Sequence, residues 1–199
     1  MAFLVDEAYL PAVLTVGPMS DEQFVELCAQ HPDLSFEVTA EGDLIVMPQA
    51  VTMTGARNSE IGGQLRDWAR QQQLGLTFDS STGWVLPNGA RRSPDAAWVS
   101  RQRARSLGDP GGFWRLCPEF VIELKSESGR MRALREKMTE WITNGAQLAW
   151  LIDPETRTVE IYRPGVAVEV LMDPREVAGE GPVDGFVLKM APVWNPLQG

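Results

Sequence analysis

The 199-residue sequence predicts an α/β fold. Its core is a mixed sheet with helices packed on it, in the order helix–β–β–β–helix–β. An N-terminal helix and hairpin extend this core at one end and a C-terminal β meander at the other. Three observations lead to this reading. Two segments carry apolar residues at helical spacing, Ile61, Leu65 and Trp68 in one and Met131, Leu134, Met138 and Trp141 in the other. Short runs rich in β-branched and aromatic residues, such as "FVIEL" and "LAWLID", alternate with these helices between turn signals. No repeat and no linker interrupts the series, so residues 1–199 read as a single domain with its core at about 36–164.

Each element has a local cause. Ser20 and Gln23 form a capping-box pattern ahead of Phe24, Leu27 and Cys28, and His31-Pro32 closes that helix. "LSFEVTAEGDLIVMP" reads as two strands around Glu41-Gly42-Asp43. A helix is expected from about Ala56 to Gln73, weakened at Gly62-Gly63, where the missing side chains suggest close packing. Short strands follow at Leu76–Asp79, Trp84–Leu86 and Asp95–Val99, with Pro94 placed where no ladder donor is needed. "RQRARSLGDPGG" reads as a polar loop before the strand in "CPEFVIELKS". A second helix in "GRMRALREKMTEWITNGAQ" stops at Asn144-Gly145, and "LAWLID", "TVEIYRP", "AVEVLMD" and "GFVLKM" supply the final strands.

A net charge of −9 argues against a surface coated in basic residues, although arginines and lysines crowd the middle of the chain and could line a local groove. The first residues lack a basic leader and a long apolar block, so neither a signal peptide nor a membrane span is expected. The two cysteines, Cys28 and Cys117, have no pairing or metal-ligand spacing and fit a reducing cytoplasm. They read as small buried groups, the tryptophans as core, and His31 as a helix C-terminal residue.

The chemistry lies in charges set into apolar strands. Glu123 and Lys125 interrupt "FVIELKS" and share one face, opposite Phe120, Ile122 and Leu124. Burying such charges is costly unless they are paired or bound to metal. Asp95 opens another apolar strand in "RSPDAAWV". On neighbouring strands, Asp95 and Glu123 would converge and hold a hard divalent cation, Mg²⁺ with Mn²⁺ as a substitute, with water and substrate phosphate completing the shell. Lys125 would orient the attacking water or offset charge on the phosphate, so that Lys125→Ala should abolish cleavage. Taken without Asp95, Glu123 and Lys125 would read as a solvent-facing or cross-strand ion pair.

Pro-Asp followed by Glu-x-Lys on a strand resembles the PD-(D/E)xK nuclease superfamily. A closer resemblance is to the Uma-two family of restriction-endonuclease-like proteins. It is carried by "FEVTAEGDLIVMP", "TGARNSEIGGQL", "RRSPDAAWV", "PEFVIELKSES", "REKMTEWITNGAQLAWLIDP" and "RTVEIYRP", in that order, over roughly Phe36 to Pro164. The resemblance implies a restriction-endonuclease-like core and a metal-dependent site at Asp95, Glu123 and Lys125, with Asp95 and Glu123 as metal ligands. It adds Glu37 and Glu60 as possible helper acids. Gln64, Arg91, Arg92 and Lys137 are possible substrate contacts, each equally readable as a surface or turn residue. This family often has a histidine near Asn58, which is absent here. DNA is the implied substrate, cut to a 5′-phosphate and a 3′-hydroxyl, and a homodimer would serve to cut both strands. Two other readings remain: a nuclease-like fold without turnover that binds nucleic acid or a protein, and a glycosidase using Asp95 and Glu123 as acid and base. A neighbouring lysine disfavours the latter.

Overall fold

The structure is a computed structural model that describes residues 10–109, 111–127 and 129–198. Strand β1 (Ala12–Thr15) precedes helix α1 (Asp21–Gln30), whose capping box is formed as the sequence suggests, with Ser20 and Gln23 bonded reciprocally. The hairpin β2 (Leu34–Val38) and β3 (Asp43–Pro48) leads into the long helix α2 (Thr52–Gln72). Next come β4 (Gly75–Asp79), β5 (Trp84–Val85), β6 (Arg91–Arg92), β7 (Ala96–Ser100) and helix α3 (Arg101–Leu107). Strand β8 (Phe120–Leu124), helix α4 (Met131–Thr143) and strand β9 (Leu148–Asp153) complete the core. β10 (Thr158–Tyr162), β11 (Glu169–Met172), β12 (Glu176–Ala178), β13 (Val187–Lys189) and the short helix α5 (Ala191–Trp194) form the C-terminal part.

The central sheet has the order β11-β10-β9-β8-β7-β4, with β8 and β9 parallel and the other neighbours antiparallel. The chain path α2–β4–β7–β8–α4–β9 is thus helix–β–β–β–helix–β on one mixed sheet. Alternation along the strands sorts the core in two. Ala96, Trp98, Phe120, Ile122 and Leu124 face α2, with Ile61, Leu65 and Trp68. Ala97, Val99, Val121 and Leu151 face α4, with Met138 and Trp141.

Three details differ from the sequence reading. Trp84–Val85 does not join the central sheet: it pairs with β6, which pairs with β2, in a second sheet of order β1-β3-β2-β6-β5. The segment read as a polar loop contains α3, because the Ser100 hydroxyl accepts from Arg103 N and caps it while Ala104 is its one buried residue. Gly62 and Gly63 mark no close approach. A Cβ at Gly62 would meet nothing within 4 Å, and one at Gly63 only the Arg66 guanidinium at 3.8 Å. Among the described residues, no helix is long and apolar enough to cross a membrane.

Candidate active site

The site lies where β7 begins and β8 ends, and where the second sheet abuts the first. Ala96 faces Ile122 and Ala97 faces Val121 across the antiparallel pair. One residue further, the same register sets Asp95 across from Glu123. Pro94 gives Asp95 its entry to the strand without a ladder donor. One Asp95 oxygen, Oδ2, accepts from Leu124 N at 2.7 Å, and the other, Oδ1, accepts from the Asn58 amide on α2 at 2.6 Å. Burial pushes the Asp95 carboxyl above the usual aspartate range, opposed by the Leu124 N–H, Lys137 and the Asn58 amide.

Glu123 is buried on the α4 face. The Trp141 indole N–H donates to it at 2.8 Å, and Lys137 Nζ lies 2.8 Å from Oε1 and 3.0 Å from Oε2. Burial raises its pKa to about 7; the Lys137 ammonium opposes the rise, while Asp95 and Glu37 add to it. Glu37, on β2, reaches the same ammonium at 2.7 Å. It also accepts from Arg92 at 3.0 Å and from Ser93 N at 3.0 Å. Burial acts to raise Glu37 as well, but Lys137 and Arg92 outweigh it and hold this carboxylate below its ordinary range. Lys137 also donates to Ser93 O at 3.1 Å, and the two carboxylates more than offset its burial, keeping it protonated. Arg92 is shared, since its Nε donates to Glu140 at 2.5 Å.

Glu123, Glu37, Lys137 and Arg92 therefore form one connected group, and Asp95 stands beside it, across the strand pair from Glu123 and held by Asn58 and Leu124 N. The other residues singled out from the sequence lie elsewhere. Lys125 follows the last residue of β8 and leans toward β9, 3.5 Å from Asp153 and 2.6 Å from Glu155, in a cross-strand ion pair. Glu60 bonds Gln64, whose amide also clasps the backbone N and O of Lys189 on β13. Arg91 binds the Asp21 carboxylate at 2.6 Å and Met19 O, its guanidinium lying over the Phe24 ring. Asn58 and Trp141 belong to the site although the sequence reading gave them no part in it. Asn58 left a signal in its position, a polar side chain on the apolar stripe of its helix three residues before Ile61, whereas Trp141 reads only as part of the stripe on which Lys137 stands four residues earlier.

The residues fit a hard divalent cation. Glu37 and Glu123 share one lysine, Arg92 is divided with Glu140, and Asp95 has no cationic partner, so burial, with neighbouring carboxylates adding to it, leaves Glu123 and Asp95 raised. The Asn58 side-chain oxygen is buried with no hydrogen-bond partner, a second sign that a positive or donating group belongs there. Among the described residues no three acidic, histidine or cysteine side chains form a closed metal cage. Mg²⁺ needs only one or two carboxylates, its remaining positions going to water and phosphate. Asp95 and Glu123 would hold it.

Fold and site together define an α/β protein with a mixed sheet and a carboxylate–lysine cluster at the ends of its strands. A crystal structure described as "a putative nuclease belonging to DUF820 from Anabaena variabilis ATCC 29413" is similar, with a TM-score of 0.74 and 21% identity, over 89% of this chain and 98% of that one. The family described as "Uma2: Putative restriction endonuclease" matches residues 21–191, and the chain belongs to it. No curated protein matches.

Proposed function

We propose that the protein is a Mg²⁺-dependent endonuclease of the PD-(D/E)xK type that hydrolyses DNA phosphodiesters. The observation that carries the reading is the placement of Asp95 against Glu123 on adjacent strands with a buried, protonated lysine beside them. A divalent ion held by the two carboxylates would polarise the phosphoryl oxygen and lower the pKa of a water. Hydrolysis joins the water oxygen to phosphorus, breaks the P–O3′ bond and leaves a 5′-phosphate and a 3′-hydroxyl.

The chain's own residues set the stage for that step. Leu124 N and Asn58 hold Asp95 in one orientation, and Trp141 does so for Glu123. Lys137 supplies fixed positive charge beside the place where a scissile phosphate gains negative charge, the part assigned to Lys125 on sequence alone. Glu37 anchors Lys137 and is itself fixed by Arg92 and Ser93 N. Cutting both strands takes two such sites, so the reading includes a homodimer on DNA, which sedimentation with and without duplex tests.

The direct test is nicking of supercoiled plasmid with Mg²⁺ or Mn²⁺ by the wild type, Asp95→Asn and Lys137→Ala. Wild-type nicking lost in both variants is expected. Nicking retained in Asp95→Asn, or no wild-type nicking with either ion on plasmid, linear or branched DNA, would overturn the catalytic reading. The second outcome would favour a nuclease-like fold that binds without turnover, for which Lys137 bridging Glu37 and Glu123 is the supporting observation.

A further inference from the structure

Resting on the metal-dependent reading above, we propose that Asn58 is an oxygen ligand of the divalent ion and at the same time the residue that orients Asp95. Asn58 sits in the second turn of α2, on the stripe continued by Ile61, Leu65 and Trp68, the face that packs on the sheet. An amide at a core-facing helical position must satisfy both its ends. The two ends have different fates here. The NH₂ donates to Asp95 Oδ1 at 2.6 Å, while the carbonyl oxygen is buried and has no partner.

The orientation of the amide is fixed by chemistry. With Asp95 ionised, as a metal ligand is, turning it over would set its oxygen against a carboxylate oxygen, two acceptors in contact, so the NH₂ faces Asp95. The oxygen is then the free end of a side chain already tied to a proposed metal ligand. Every carboxylate oxygen around it has a partner: both of Asp95, both of Glu123 and both of Glu37 are bonded. An amide oxygen is a hard, neutral donor of the kind Mg²⁺ and Ca²⁺ accept. With Asp95 and Glu123 it makes an all-oxygen donor set, which favours Mg²⁺ or Mn²⁺ over ions that prefer nitrogen and sulfur. A neutral third ligand also adds no negative charge to a group already rich in it.

The test uses the full chain and does not depend on cleavage. Mn²⁺ is titrated calorimetrically into the wild type, Asp95→Asn, Asn58→Leu and Asn58→Asp, each checked for folding by circular dichroism. Asn58→Leu should weaken Mn²⁺ binding by at least about tenfold, and Asn58→Asp, which keeps an oxygen, should retain it. A crystal of the wild type with Mn²⁺ should place the Asn58 oxygen in the ion's first shell, at about 2.1–2.3 Å; this measurement stands even if Asn58→Leu fails to fold. Mn²⁺ binding that depends on Asp95 but is unchanged in Asn58→Leu, or an ion separated from Asn58 by a water, overturns this assignment and leaves the nuclease reading standing. Absence of Mn²⁺ binding to the wild type, or binding indifferent to Asp95→Asn, overturns the metal site itself.

Discussion

Replacing Lys137 by methionine removes one charge from the centre of the group while keeping the length of the aliphatic stem. All three ammonium donors are engaged, toward Glu37 at 2.7 Å, Glu123 at 2.8 Å and Ser93 O at 3.1 Å. Glu37 would keep Arg92 and Ser93 N, but Glu123 would keep only the Trp141 N–H. Removing one partner of a buried ion pair costs about 3–5 kcal/mol, because the remaining charge is stranded. At pH 8 the folded protein must hold Glu123 ionised without its cation or give it a proton, and either is unfavourable. At pH 6 the proton is more available, so the loss should shrink by up to about 1.4 kcal/mol per pH unit. Adding Glu123→Gln should recover part of the loss, since the group left without its cation would then be neutral. Urea unfolding of the wild type, the two single variants and the double variant at pH 6 and pH 8 measures all of this in one cycle. A loss below about 1 kcal/mol at pH 8, or one indifferent to both pH and Glu123→Gln, would refute the electrostatic account.

Further outcomes follow from the same geometry. Without metal, wild-type stability should rise as pH falls from 8 toward 5. The folded Glu123 titrates near 7 and an unfolded glutamate near ~4.3, so its penalty is full above 7 and gone below the unfolded value. Urea midpoints of the wild type and of Glu123→Gln, in which the slope should flatten, check this. Glu37 is shifted the other way, and its contribution should vanish only at more acid pH. Lys125→Ala should leave plasmid nicking within about tenfold of wild type, whereas Lys137→Ala should cost about 10²-fold or more, the usual effect of removing a preorganised charge. Gly62→Ala lies in open space within a helix and should stabilise by about 1 kcal/mol, seen as a melting point about 2–4 °C higher. Gly75→Ala should destabilise by about 1–3 kcal/mol, because its Cβ would stand 2.2 Å from the Trp98 ring.

Much of this was legible in the sequence, and what was hidden has a common cause. The order of elements follows from local pattern, and Asp95 and Glu123 stand out because carboxylates at such strand positions are costly without a purpose. Glu37, lodged between Phe36 and Val38, was marked only by the family resemblance. Lys125 shows where local reasoning stops. Strand alternation does put it on the face of Glu123, but it lies past the end of β8 with a long flexible stem. Its choice between Asp95 on one side and Asp153 on the other is made by neighbours that only the folded sheet assembles. Trp84 likewise pairs outside the central sheet, because Arg91 of β6 registers with Val38 while Arg92 registers with Trp84, a pairing of segments too short to carry a pattern. Lys137 and Asn58 did leave a trace, as polar side chains on apolar helical stripes.

That trace also bears on why the group exists. Five charged side chains held mostly away from water are a poor way to stabilise a sheet junction, since apolar residues of similar volume would do as well or better. The balance is not even neutral: Glu37, Asp95 and Glu123 face Lys137 and a shared Arg92, and two of the three acids are pushed toward protonation. A structural network would be expected to close its charge and its hydrogen bonds. This one leaves negative charge in excess and one buried oxygen open, both in the neighbourhood of Asp95. The divalent ion proposed above would complete that side, because carboxylates with an amide oxygen are the hard oxygen donors such an ion takes.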